Sequence, residues 1–70
     1  MRYLAIIEKT APGCSAYSPD LPGCVSAGRT REETEASMRE AIELHVEGLR
    51  AEGLEVPPPQ TSSAYVDVAA

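Results

Sequence analysis

From Thr30 to Gly53 the chain carries one unbroken amphipathic pattern, and this segment governs most of what 70 residues can build. Thr30-Arg31-Glu32-Glu33 has the form of a capping box. There the Thr30 hydroxyl accepts the Glu33 amide and the Glu33 carboxylate reaches back to the Thr30 amide. Glu32, Glu33 and Glu35 put negative charge at the positive end of the helix dipole, and Arg50 puts positive charge at the other end. Thr34, Met38, Ala41, Ile42, His45 and Leu49 recur at helical spacing and predict one buried stripe about six turns long. Gly53 stands where a helix C-cap residue belongs.

The residues before the helix read as strands. Tyr3-Leu4-Ala5-Ile6-Ile7-Glu8-Lys9 is apolar on both parities, as a strand central to a small sheet requires. Thr10-Ala11-Pro12-Gly13 turns the chain into Cys14-Ser15-Ala16-Tyr17, and Leu21-Pro22-Gly23 turns it again into Cys24-Val25-Ser26-Ala27, which ends at Gly28. Consecutive antiparallel pairing is the economical arrangement. With the second turn centred near Asp20-Leu21, Cys24 is expected opposite Tyr17, which leaves Cys14 and Cys24 unbridged. After the helix, Pro57-Pro58-Pro59 is stiff and extended. Ala64-Tyr65-Val66-Asp67-Val68 then reads as a final strand. The expected order is β-β-β-α-β in one domain spanning residues 1–70, an α+β layer with one helix on one sheet face.

Composition excludes several function classes. Eleven acidic residues against six basic ones give a formal net charge of −5, a balance that repels phosphate backbones. The basic side chains Arg2, Lys9, Arg29, Arg31, Arg39 and Arg50 are scattered among carboxylates, so no direct nucleic-acid ligand is expected and a basic protein is the better partner. The longest apolar run, Leu4-Ala5-Ile6-Ile7, falls far short of the roughly 18–20 residues of a membrane span. With no signal-peptide pattern either, a cytoplasmic protein is expected.

No cofactor, metal site or catalytic constellation is expected. His45 is the lone histidine and lies on the buried stripe, with no nucleophile or orienting partner nominated beside it. Nothing cationic adjoins Cys14 or Cys24 to lower a thiol pKa. Glu40, Glu43 and Glu47 form one acidic strip on the helix away from the stripe. It is either a solvated face or an electrostatic landing strip for a basic partner. Pro22-Gly23 suits a tight turn on its own account, and the Pro19–Gly23 loop has a binding reading beside that one.

Tyr17-Ser18-Pro19-Asp20-Leu21-Pro22-Gly23-Cys24, with Gly28 and Thr30-Arg31-Glu32-Glu33-Thr34 following, resembles the HicB family of antitoxins. So does Ala41-Ile42-Glu43-Leu44-His45-Val46-Glu47-Gly48-Leu49, with Gly53 and the Val56-Pro57-Pro58 exit. The resemblance implies a degraded ribonuclease H-like fold of the same β-β-β-α-β order. It also implies binding to HicA, a small basic toxin of double-stranded-RNA-binding-domain fold that cleaves messenger RNA with a histidine. Tyr17, Pro19, Asp20, Glu40, Glu43 and Glu47 are the residues expected to meet that toxin.

Two features depart from the family. Arg31 stands where an apolar residue is usual, and is expected to loosen the first helical turn. Many members continue into a DNA-binding segment, whereas this sequence stops at Ala70, so no direct DNA contact is expected. Ribonuclease H chemistry needs several carboxylates on two metal ions, and the strands offer only Glu8 and Asp67. The alternative from another class is an orphan HicB-like domain with a small-ligand-binding or residual enzymatic role. Self-association as a homodimer or higher oligomer is expected through Tyr65, Val66 and Val68 of the final strand, because a small sheet leaves edges to protect.

Overall fold

The computed structural model describes residues 1–69. Strands β1 (Ile6–Lys9), β2 (Cys14–Tyr17) and β3 (Val25–Gly28) form one antiparallel sheet in the order β1-β2-β3, and helix α1 (Arg31–Ala51) packs on one face. This is the α+β class expected, with β2 as read from the sequence and β1 shorter, starting at Ile6 instead of Tyr3.

Alternation along the strands sorts the two faces. The cross-strand rows Ile7–Ala16–Ser26 and Lys9–Cys14–Gly28 lie on the helix side, and Ile6–Tyr17–Val25 and Glu8–Ser15–Ala27 lie on the open side. Ala16, Cys24, Met38 and Leu21 make the buried core, flanked by Tyr3, Ala5, Ile7, Ala41, Ile42 and Val46.

Leu21 is fully buried although it sits at the tip of a hairpin. Two consecutive β-turns explain this: Leu21 N–H donates to Ser18 O, and Cys24 N–H donates to Leu21 O. Pro19 and Pro22 each occupy the second position of their turn, where a fixed φ helps, and Gly23 supplies the positive φ of +82°. The double turn is centred on Leu21 itself and points its side chain back into the core. It also shifts the expected register by one residue. Cys24 lies opposite Ser18, and Val25, not Cys24, is the partner of Tyr17. Cys14 is paired with Gly28, and both cysteines are buried free thiols.

The start of α1 is locked. Glu33 N–H donates to the Thr30 hydroxyl at 3.1 Å, so Thr30 is the N-cap, and the Thr34 hydroxyl donates to Thr30 O at 2.7 Å. A return bond from the Glu33 carboxylate is not formed among the described residues, so only half of the capping box is present. Arg31 is exposed, and the first turn beneath it is packed, with Thr34 wholly buried against β3. The expectation of a loosened turn is therefore corrected. At the other end Gly53 N–H donates to Arg50 O and Leu54 N–H to Leu49 O, the bond pair of a Schellman motif, with Gly53 at φ +71°.

The expected final strand does not form. Residues 64–69 are irregular and exposed. A strand exists only where a neighbour completes its ladder. Here the chain is pinned at Gln60 and Thr61, runs past Arg2–Ala5 with residues 61–63, and then leaves the sheet.

Candidate functional site

Helix α1 has 21 residues, about 31 Å at 1.5 Å per residue, whereas each strand has four and spans only about 13 Å. The helix therefore outruns the sheet. Its buried residues, Thr34 and Met38, fall in the first half, and along the second half the segment leading into β1 lies beside Ile42 and Val46. A groove opens along that seam.

One part of the groove, about 470 Å³, is lined by Met1, Tyr3 and Ala5 on one wall and by Met38 and Ile42 on the other. A second part, about 370 Å³, continues toward the helix C-terminus past Val46. Met38, Ile42 and Val46 recur at steps of four and make an apolar floor. Glu35, Glu43 and Glu47 stand on the helical rim with Arg39 and Arg50 between and beyond them. Tyr3 fixes the opposite wall, because its hydroxyl donates to Pro57 O at 2.6 Å and so ties the N-terminal segment to the proline run.

The residues singled out in the sequence fall in separate places. Glu43 and Glu47 line the groove, and Glu40 is exposed on the helix without lining it. Tyr17 stands on the open sheet face, 41% exposed. Pro19 belongs to the double turn. Asp20 is engaged within the chain: its carboxylate accepts the Thr61 hydroxyl at 2.7 Å, the Thr61 N–H at 3.0 Å and the Gln60 N–H at 3.2 Å. The hydrogen bonds from Thr61, side chain first, hold the Asp20 carboxyl below its ordinary pKa. Tyr65 is fully solvent-exposed, and Val66 and Val68 are largely so.

Sequence reasoning missed Tyr3 and Glu35 as members of the groove. The position of the first belongs to a tertiary contact, and the second reads as a helix-dipole charge. It also missed a cationic cluster. Lys9, Arg29 and Arg31, far apart in the reading of scattered charges, line one cavity of about 360 Å³ beside the start of α1. The close approach of β1, β3 and the helix N-terminus brings them together.

Chemically the groove offers apolar contact and charge, not reactive groups. His45 is half-buried on α1. Burial pushes the Cys24 thiol pKa up, which favours the protonated form. Among the described residues no cluster of histidine, cysteine and carboxylate side chains has metal-binding geometry, and no helix is long and apolar enough to cross a membrane.

A family described as HicB_like antitoxin of bacterial toxin-antitoxin system matches residues 3–69. The chain is 37% identical over 67 residues to an uncharacterized 14.9 kDa protein of Haemophilus phage HP1, covering 96% of this chain and 50% of that protein. It thus spans half the length of that relative. A UPF0150 protein of Helicobacter pylori is 46% identical over 50 residues, 71% of this chain and 69% of its own. Among solved structures, a chain of the HicA3 and HicB3 toxin-antitoxin complex superposes with a TM-score of 0.73 at 38% identity. That match covers 84% of this chain and 70% of the other.

Proposed function

The chain belongs to the HicB-like antitoxin family, and from that premise we propose that it binds and masks a small basic HicA-like toxin that cleaves messenger RNA. The observation that carries this reading is the likeness to a chain of a solved toxin–antitoxin complex, close in both fold and sequence. The groove beside α1 adds a physical means. Its floor of Met38, Ile42 and Val46 suits an apolar anchor, and its mixed rim, Glu35, Glu43 and Glu47 with Arg2, Arg39 and Arg50, offers carboxylates for cationic side chains around that anchor. A net charge of −5 favours encounter with a basic protein over a phosphate backbone.

Masking is a binding task and calls for no catalytic group, cofactor or metal. The buried thiols and the half-buried His45 are consistent with that role. A toxin that acts on messenger RNA sets the place of action in the cytoplasm. Co-expression with a HicA-like toxin encoded beside this chain is the test. Relief of the toxin's growth arrest is the expected result, and persistence of the arrest with soluble antitoxin present overturns the reading.

A further inference from the structure

Lys9 breaks the pattern of the sheet. It shares with Ile7 the parity that faces α1, where the core calls for an apolar side chain. β1 is an edge strand, and an inward-pointing charge guards an edge against pairing. That account covers one lysine. It leaves unexplained why Arg29 and Arg31 line the same cavity of about 360 Å³. The chain has eleven acidic residues, yet none of them lines this cavity. Among the described residues Lys9, Arg29 and Arg31 form no ion pair and no side-chain hydrogen bond. Three like charges gathered without a counterion repel one another, and an anion between them turns that cost into attraction.

The backbone fixes where these side chains start. Thr10 N–H donates to Gly13 O at 2.8 Å and closes the β1–β2 turn. A Cβ on Gly13 would collide with Gly28 O and sit 3.1 Å from the Arg29 Cα. The turn that follows Lys9 and the joint that carries Arg29 are thus packed against each other. Arg31 opens α1 directly after the Thr30 cap. That cap accepts the amides of Glu33 and Thr34 and leaves those of Arg31 and Glu32 without a partner among the described residues. Glu32 and Glu33 share the first turn, but neither lines the cavity.

We propose that the Lys9–Arg29–Arg31 cavity binds a phosphate group, either free phosphate or the phosphomonoester of a molecule no larger than a mononucleotide. The two guanidinium groups suit phosphate oxygens in pairs, and the Lys9 ammonium adds a point charge. The size limit follows from the cavity and from the net charge of −5, which repels a long phosphate backbone. This cavity shares no lining residue with the groove beside α1, so the proposal stands apart from toxin binding.

Titration of the isotope-labelled chain with inorganic phosphate, without toxin, reads the site from its amide chemical shifts. Neutral pH gives the anion its charge, and chloride holds the ionic strength constant. Saturable shifts at Thr10, Gly13 and Arg29–Glu32 are expected. Lys9→Gln and Arg31→Gln are each expected to weaken binding about fivefold, the loss of one charge-assisted contact of three. Arg50→Gln removes the same charge at the far end of the helix and is expected to change nothing. All three side chains are exposed, so each variant is read as a folded chain. Adenosine monophosphate is the second probe. Tighter binding than inorganic phosphate identifies a phosphomonoester as the ligand, and binding no tighter identifies free phosphate. A titration that fails to saturate, or saturates with shifts elsewhere, overturns the proposal. Equal weakening by all three substitutions overturns it too, and so does an RNA oligonucleotide that binds tighter than either probe.

Discussion

Gly28 and Thr30 meet where β3 passes into α1, and the joint tolerates little change. A Cβ on Gly28 would sit 2.8 Å from the Thr34 hydroxyl and 2.9 Å from the Thr34 backbone nitrogen, atoms of a residue that is wholly buried. Gly28→Ala is expected to destabilise by about 1–3 kcal/mol, the usual cost of overpacking. Thr30→Ala removes the acceptor for Glu33 N–H and is expected to cost about 1 kcal/mol. Urea unfolding followed by circular dichroism measures both. Against a total stability of about 4–10 kcal/mol for a chain of this length, either loss is large. Asp20 acts at the same scale through pH. Its folded pKa lies below the ordinary 3.8, so its contribution is fully present above that value and is lost as pH falls from there through the folded pKa. Acid titration is therefore expected to free Gln60 and Thr61 before the helix melts. Amide exchange at Thr61 that stays unchanged across that window would count against this clamp. Asp20→Asn is expected to remove the step.

At the scale of elements, the double turn and the long helix determine the rest. Leu21 is held between two turns that aim it into the core, so Leu21→Ala is expected to cost about 2–5 kcal/mol despite its place at a hairpin tip. A loss below that range would mean the tip collapses around the smaller side chain. The helix was readable in the sequence because its signals are local: the Thr30 cap, the Gly53 stop and the stripe between them all lie within one segment. The hairpin register was not, because Pro19 and Pro22 each initiate a turn, and only the pair of turns together centres the loop on Leu21. Val46 is missing from the expected stripe, although it packs against the core beside Ile42. It stands four residues past Ile42, within reach of the stripe's own period, and what it packs toward, Tyr3 and Met1, comes from the N-terminal segment. The final strand misled because alternation in Ala64–Val68 describes a segment able to pair, and pairing also needs a neighbour. Glu43 and Glu47 were legible as a strip, but the groove they rim is made by the N-terminal segment lying along the helix.

At the scale of the whole molecule, charge and shape act together at that groove. The net charge of −5 favours encounter with a basic partner, and on the proposed reading the rim carboxylates set where such a partner lands. Three of the six basic residues gather in the Lys9–Arg29–Arg31 cavity, and the other three, Arg2, Arg39 and Arg50, line the groove together with Glu35, Glu43 and Glu47. Glu43→Lys together with Glu47→Lys reverses two rim charges and touches no buried side chain. Association with a basic toxin is expected to slow about tenfold at low ionic strength, with a smaller change in dissociation, because exposed charges act mainly on encounter. The difference should shrink toward 0.15 M salt, where the Debye length is about 8 Å. Glu40→Lys is the matched control: it changes the net charge by the same step per residue but lies outside the groove. Stopped-flow association at two salt concentrations separates the two. A general loss of attraction would slow the control in proportion to its charge. Steering by the groove slows Glu43→Lys and Glu47→Lys more, residue for residue, and equal slowing per residue would return the acidic strip to plain solvation.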